Sequence, residues 1–309
     1  MELIRGLHNL RPEHRGCAAT IGNFDGVHLG HQAVLGQLSE RASALGLPTC
    51  VITFEPQPRE LFAPETAPAR LTRLREKLLA LRRFSVDRVL CLRFDSRLAG
   101  LSAAQFVKVV LVDGLGVRYL VVGDDFRFGK GRQGDFAFMQ QAGAEQGFQV
   151  VNMHTFNVDG GRVSSTRIRE ALAAGDMAGA EKLLGRPYRM CGRVAHGDRR
   201  GRTIGFPTAN IHLHRHATPV QGVFAVELFG LDREPVAGVA NVGTRPTVDG
   251  TRTLLEVHLF DFDQDIYGRY VYVNFLHKLR PELRFDSFEA LKEQIHQDAR
   301  DARAYFAAM

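Results

Sequence analysis

Residues 22–31 read Gly-Asn-Phe-Asp-Gly-Val-His-Leu-Gly-His. They set two imidazoles, His28 and His31, three positions apart behind a short turn holding Gly22, Phe24 and Gly26, with Gly30 between the rings. Before them, residues 17–21 are small and apolar and read as a buried strand. After them, residues 32–45 carry Val34, Leu35, Leu38, Ala42 and Leu45 at helical spacing. The order is strand, tight glycine turn, helix start, with both histidines on one face of the first helical turn. A helix start offers unpaired N–H groups and a partial positive charge, which favour phosphate. Paired histidines there can donate hydrogen bonds to the non-bridging oxygens of a phosphorus under attack, where charge accumulates in the transition state. Taken alone, the same residues also fit a βα turn with surface histidines.

Outward from this turn the pattern repeats. Strands are expected at 48–54, 86–92, 117–123 and 148–154, with helices at 31–45, about 70–83, 102–113 and 137–147. Almost wholly apolar strands alternating with helices predict a doubly wound α/β fold, its parallel sheet covered on both faces. Ligands of such sheets lie beyond the carboxyl ends of the strands, where the 22–31 turn and the loop starting at Gly123 both fall. Two short helices are expected at 165–174 and 176–184. After Gly185-Arg186-Pro187 the period becomes two, with strands at 188–195, 222–229, 235–242, 252–260 and 269–277. This predicts a small antiparallel barrel, closed by an amphipathic helix at 287–306. The change of period sets the expected boundary: residues 1–185 in one domain, 186–309 in the other.

Composition narrows the class. At 309 residues, 45% hydrophobic and 24% charged, the chain is an ordinary globular protein with room for two domains. No apolar run reaches membrane-spanning length, and residues 1–16 lack the apolar stretch of a signal peptide. Cys17, Cys50, Cys91 and Cys191 are far apart, fit no zinc spacing and read as reduced thiols, which places the protein in the cytoplasm. The net charge of +6 raises nucleic acid as a partner, but the arginines are scattered and form no basic run with interleaved aromatics. Phosphate-rich small molecules explain the excess equally well, and no membrane or obligate protein partner is expected. His212, His214 and His216 alternate, yet without a nearby cysteine or carboxylate they read as surface residues.

Further stretches carry chemistry. Residues 123–135 (GDDFRFGKGRQGD) form a glycine- and charge-rich loop whose Phe126 and Phe128, beside arginines, suit a flat ring. Ser164, Ser165, Thr166, Arg167 and Arg169 open a helix, with Ser165 as an expected N-cap. Hydroxyls, helix N–H groups and two guanidiniums make a triphosphate cradle. In the second half, residues 201–210 read GRTIGFPTAN, followed by NVGTRPT at 241–247 and LEVHLFD at 255–261. There is no GxxxxGK[ST] loop, so any kinase here would have to cradle phosphates in another way, for which the glycine- and arginine-rich segment 192–205 is available. Glu256 alternates with Leu255 and Val257, a spacing that also suits an outward strand residue without chemistry.

Together, GNFDGVHLGH, TFEPQP (53–58), GDDFRFGKGRQGD and SSTRIR resemble the bacterial bifunctional riboflavin kinase/FMN adenylyltransferases, or FAD synthetases, and the likeness runs along essentially the whole chain. It implies that residues 186–309 phosphorylate riboflavin with ATP, and that residues 1–185 transfer AMP from ATP to FMN, giving FAD and pyrophosphate. His28 and His31 would be catalytic in adenylyl transfer. ATP and its phosphates would meet Gly22, Phe24, Gly30, Ser164, Ser165, Thr166, Arg167 and Arg169. In the kinase, Gly201, Arg202 and Gly205 would meet ATP, Thr208 and Asn210 would bind its Mg2+, and Glu256 would be the catalytic base. Asp125, Phe126, Phe128 and Arg245 are candidate flavin contacts. Position 57 is glutamine where many members have histidine, and is given no role; position 125 is aspartate where some have asparagine, so its contact is open. HLGH also resembles the HIGH motif of aminoacyl-tRNA synthetases, but no KMSKS-like segment accompanies it. A flavin- or RNA-binding regulator that has lost catalysis would not be expected to keep both histidines, PTAN and Glu256.

Overall fold

The computed structural model describes residues 1–153, 156–196, 206–215, 217–232, 234–247 and 250–309, with side chains at 244–252 outside the description. The chain packs as two compact units: Met1–Pro68 with Thr72–Ser164, and Ala69–Leu71 with Ser165–Met309. The helices at 165–184 therefore pack in the barrel's unit, although the change of sequence period comes only at 185.

In the first unit the elements run β1 (Glu2–Arg5), β2 (Ala18–Ile21), α1 (Leu29–Leu45), β3 (Thr49–Glu55), α2 (Pro58–Phe62), α3 (Leu74–Leu81), β4 (Arg88–Arg93), α4 (Ser96–Ala99), α5 (Ala103–Phe106), β5 (Tyr119–Gly123), α6 (Phe136–Gln146), β6 (Gln149–Met153) and a short pair, β7 (Asn157–Val158) and β8 (Gly161–Arg162). The sheet order is β1-β4-β3-β2-β5-β6, with every pair parallel. Alternate strand residues feed opposite faces. Ala19, Ile21, Cys50, Ile52, Leu120 and Val122 pack with Phe106, Val110 and Leu111. On the other face Ala18, Tyr119 and Val121 meet Leu38 and Ala42 of α1, and Val51 and Val89 meet Leu35 and Leu81. Burial on both faces is why these strands read as continuous apolar runs. From β2 the chain winds outward through β3 and β4 on one side and continues through β5 and β6 on the other. The switch point therefore lies between β2 and β5, where a doubly wound sheet opens its ligand crevice.

Two helices depart from expectation. The helix expected from about 70 begins at Leu74. The backbone N–H of Thr72 is spent on Asp25 Oδ1 at 2.9 Å, and that of Arg73 on Glu76 Oε2 at 2.7 Å. The helix expected at 102–113 is α5 continued by a π-helix, Val107–Gly114.

The second unit holds α7 (Ser165–Ala174), α8 (Met177–Leu184), β9 (Tyr188–Ala195), β10 (Ala209–His212), β11 (Gly222–Phe229), β12 (Val236–Thr247), β13 (Gly250–Leu259), β14 (Tyr270–Arg280) and α9 (Phe288–Ala307). The strands close into an antiparallel barrel, β10-β13-β12-β11-β14-β9. Phe224, Val226, Ala240, Val242, Leu255 and Val257 are buried and alternate with Val223, Ala225 and Val239, which pack against Ala299 and Ala302 of α9. Helix α9 is fixed by Arg280, whose Nε and Nη2 each lie 2.7 Å from Asp298. Residues 69–71 join this unit through their carbonyls: Arg169 Nε donates to Ala69 at 2.6 Å, Arg215 Nη1 to Arg70 at 2.7 Å and Tyr188 Oη to Leu71 at 3.3 Å.

Candidate active sites

The 22–28 turn leaves the carboxyl end of β2 at the switch point. Phe24 (φ 48°), Gly26 (φ 86°) and Val27 (φ 44°) are left-handed. For a β-branched residue such as Val27 that conformation is costly, and it must be held from outside. Buried Asp25 supplies the hold: Oδ1 accepts the Thr72 N–H, and Thr72 Oγ1 accepts the Gly26 N–H at 2.9 Å. Val27 and Phe24 are themselves buried, anchoring the turn in the core.

His28 is the N-cap of α1, and its Nδ1 accepts the backbone N–H of His31 at 3.3 Å. A nitrogen that accepts carries no proton, so the neutral ring keeps its proton on Nε2. The His28 and His31 rings stack with centroids 3.7 Å apart and planes 17° apart, and Phe24 lies 4.9 Å from His31. A Cβ on Gly30 would come within 3.3 Å of the His28 ring and 3.6 Å of the Val163 carbonyl. The glycine between the histidines thus leaves room for the ring and for the chain just before α7. His31 is half-buried, and its Nδ1 is shut from solvent with no hydrogen-bond partner among the described residues. Burial first, then His28 and Lys77, hold its pKa well below the usual histidine value. His31 is therefore held as a neutral imidazole, while His28, with Nδ1 accepting, presents its Nε2–H as a donor.

The neighbouring β5 loop corrects one expectation. Phe128 is buried in the sheet's core with Phe106, and it stacks on Phe126 with centroids 5.2 Å apart. Its apolar ring anchors the loop rather than standing free for a flat ligand. Asp125 is exposed and pairs with Arg162 at 2.6 Å. A second correction concerns the helix opening: α7 starts at Ser165 itself, which is thus a helical residue rather than the cap. Thr166 is exposed, while Ser164, Ser165, Arg167 and Arg169 are half-buried.

In the barrel, register does the assembling. Asn210 of β10 is directly opposite Glu256 of β13, and Glu256 is directly opposite Asn241 of β12. Opposed residues share a face, so the carboxylate is flanked by two carboxamides on the face that carries Val239. Asn241 stands in the 241–247 stretch with no role legible from the sequence, and the pairing of β12 with β13 is what sets it opposite Glu256. Thr208 directly precedes β10 and lines a cavity of about 360 Å3 with Pro207, Val257, Asp263, Asp265 and Tyr267. His196 stacks on Tyr267 at 3.9 Å. Gly201, Arg202 and Gly205 lie outside the described residues, as does the side chain of Arg245.

The side-chain oxygens lining this cavity are hard donors: the Thr208 hydroxyl, the Gln264 carbonyl and the Asp263 and Asp265 carboxylates. They suit Mg2+. No group of three or more His, Cys, Asp or Glu side chains that could cage a metal occurs among the described residues. His212 and His214 are 5.9 Å apart and belong to no such group, while His216 lies outside the described residues.

A helix-capping imidazole pair at the switch point of a doubly wound sheet, joined in one chain to a barrel with a paired carboxylate and hard oxygen donors, defines a two-site nucleotide-using transferase. The comparisons with known proteins give the family. Residues 10–167 match the FAD synthetase family and residues 184–306 the riboflavin kinase family. The chain is 58% identical over 308 residues to a bifunctional riboflavin kinase/FMN adenylyltransferase of Pseudomonas fluorescens, covering 99% of this chain and 98% of that one. It is 55% identical over 307 residues to the same-named protein of Escherichia coli (strain K12), with coverages of 99% and 98%. The chain belongs to the bifunctional riboflavin kinase/FMN adenylyltransferase family. Among solved structures, one titled a macrolide-efflux protein from Streptococcus pneumoniae has a TM-score of 0.82 and 32% identity, covering 97% of this chain and 98% of its own. Its fold is shared, but its titled role is said of that protein; among the described residues here no helix is long and apolar enough to cross a membrane.

Proposed function

We propose that the family's two reactions are divided between residues 186–309 and residues 1–185, on the side chains described above. In the barrel, Glu256 accepts the proton of the riboflavin 5′-hydroxyl as its oxygen attacks the γ-phosphorus of ATP, and FMN and ADP leave. Thr208 and Asn210 hold Mg2+ with the nucleotide, which neutralises charge on the transferred phosphoryl group. Asp263, Asp265 and Tyr267 line the adjoining space for the nucleotide. Segment 192–205, with Gly201, Arg202 and Gly205, cradles the phosphates, and Arg245 is a flavin contact.

In residues 1–185, a phosphate oxygen of FMN attacks the α-phosphorus of a second ATP, forming the phosphoanhydride of FAD and releasing pyrophosphate. A phosphate monoester is already anionic, so no strong base is needed. His28 and His31 donate hydrogen bonds to the α-phosphoryl oxygens as charge builds there. Gly22, Phe24 and Gly30 shape the turn against ATP. Ser164, Ser165, Thr166, Arg167 and Arg169 hold its β- and γ-phosphates, and Mg2+ serves this site too. Asp125 and Phe126 are the flavin contacts of this half. Four free, buried cysteines support a reducing compartment, and hence the cytoplasm.

The observation that carries the kinase assignment, and with it the division, is the direct pairing of Asn210 with Glu256 on the barrel wall. The test is incubation with riboflavin, ATP and Mg2+, followed by chromatography of the yellow products. Wild type gives FMN and then FAD. The His28→Ala/His31→Ala chain accumulates FMN without FAD. The Glu256→Ala chain makes no FMN, yet converts supplied FMN to FAD. A folded variant losing both activities would refute the division.

A further inference from the structure

We propose that His258 is a positioning residue of the kinase site, holding residues 206–208 so that Thr208 and Asn210 present their oxygens together to a nucleotide-bound divalent cation. The proposal rests on the reading of Thr208 and Asn210 given above and adds to it the side chain that fixes their approach.

His258 lies two residues beyond Glu256 on the same face of β13. The β10–β13 register pairs Ala209 with Val257 and Asn210 with Glu256, so one further step sets His258 beside Thr208. There the segment is no longer held by the ladder, because β10 begins at Ala209. Pro207 has no N–H to give a neighbouring strand. Its carbonyl lies 2.9 Å from His258 Nδ1. A carbonyl only accepts, so Nδ1 carries the proton and the tautomer is fixed. The ring that donates is itself gripped: Phe206 lies 4.8 Å from it and Phe260 5.9 Å. On its far side Phe206 meets His296 of α9 edge-on at 4.6 Å. Burial of the His258 ring holds its pKa below the ordinary value. The nearby Arg303 and Asp261 are committed to each other through two 2.9 Å contacts. A neutral imidazole, one proton on Nδ1 and one carbonyl to receive it, thus replaces the missing backbone hydrogen bond just before Thr208.

The test separates this role from simple packing. ADP is a product of the kinase step, so its calorimetric affinity with and without Mg2+, measured with excess FAD to occupy the adenylyl-transfer site, reads the kinase site. The ratio of the two dissociation constants measures the metal's contribution. His258→Phe keeps an aromatic ring but loses the donor, and should reduce that ratio about tenfold, the usual scale for loss of a supporting hydrogen bond at a metal site. His258→Asn places its amide nitrogen where Nδ1 stood and should keep the ratio near wild type, whereas His258→Gln, whose amide sits elsewhere, should not. Riboflavin KM and FMN adenylylation should be unmoved in all three. Thr208→Val is measured in parallel. If it keeps the full metal effect, the metal reading of Thr208 is wrong. If it loses that effect while His258→Phe retains it, the positioning role is overturned. Should His258→Phe fail to fold by thermal melting, equal behaviour of His258→Asn and His258→Gln overturns it instead.

Discussion

His28 and His31 have the same side chain but different constraints. His28 spends Nδ1 on capping α1, while His31 Nδ1 has no partner among the described residues and the ring lies against a second imidazole. Burial first, and then the neighbouring His28 and Lys77, disfavour a second, charging proton on His31. An unfolded chain takes up a proton on this imidazole near pH 6.5, where the folded ring stays neutral. Protonation therefore favours the unfolded chain as pH falls, and stability should drop from pH 7 to pH 5 more steeply in wild type than in His31→Gln. Urea midpoints across that range would check the slope; parallel slopes would mean that His31 titrates normally. At this scale the sequence was legible where chemistry is local. The spacing of His28 and His31 and the glycine between them could be read directly, whereas Glu256 was singled out by the family resemblance, since its alternation with Leu255 and Val257 suits an outward strand residue as well. It was misleading at Phe128, because an aromatic in a charged glycine-rich loop looks the same whether it faces a ligand or turns back into the core. Asn241 carried no legible role because its partner is fifteen residues away, across a hairpin. Asn241→Asp would set a second carboxylate directly opposite Glu256. Like charges so placed destabilise by roughly 0.2–1 kcal/mol, and the kinase rate should fall while adenylyl transfer persists.

Elements were legible in proportion to their length and burial. The long helices α1, α6 and α9 and the continuous apolar strands β3, β4 and β5 fall close to their expected places, since each declares its period over many residues. The four-residue strands β1 and β10 offer too few alternations to be distinguished from loop. β10 also follows Pro207 and carries the PTAN residues, so it reads as a motif rather than as structure. Its place in the barrel depends on backbone approach that only one neighbour permits: a Cβ on Gly192 would sit 2.5 Å from the His212 carbonyl oxygen. Gly192→Ala should therefore force β9 from β10, costing about 1–3 kcal/mol as an overpacked contact does, and should weaken the kinase. The other end of the barrel depends on α9. Arg280 and Asp298 are both largely buried, with side-chain exposures of 16% and 6%. Removing one partner strands the other charge, so Asp298→Ala should cost about 3–5 kcal/mol. Urea unfolding of the full chain would measure both; a loss below 1 kcal/mol for Asp298→Ala would show that water reaches Arg280 freely.

At the scale of the whole chain, the two chemistries require different things. Phosphoryl transfer to a neutral hydroxyl needs a base and a cation, and both are assigned to the barrel, where register alone brings Glu256 and Asn210 side by side. Adenylyl transfer to an anionic phosphate needs donors without a base, and the paired imidazoles at the β2–α1 turn are assigned to supply them. No residue is assigned to both reactions, so a defect in one site should be repaired by an intact copy of that site on another chain. Mixing the His28→Ala/His31→Ala variant with the Glu256→Ala variant should restore FAD formation from riboflavin, which neither achieves alone. The first chain makes FMN, the second adenylylates it, and the intermediate crosses through solvent. The restored rate should rise with the concentration of the second variant and fall when an unrelated FMN-binding protein is added as a trap. Mixing that yields FMN but no FAD, with supplied FMN still converted by the Glu256→Ala chain, would show that the intermediate does not pass freely from chain to chain.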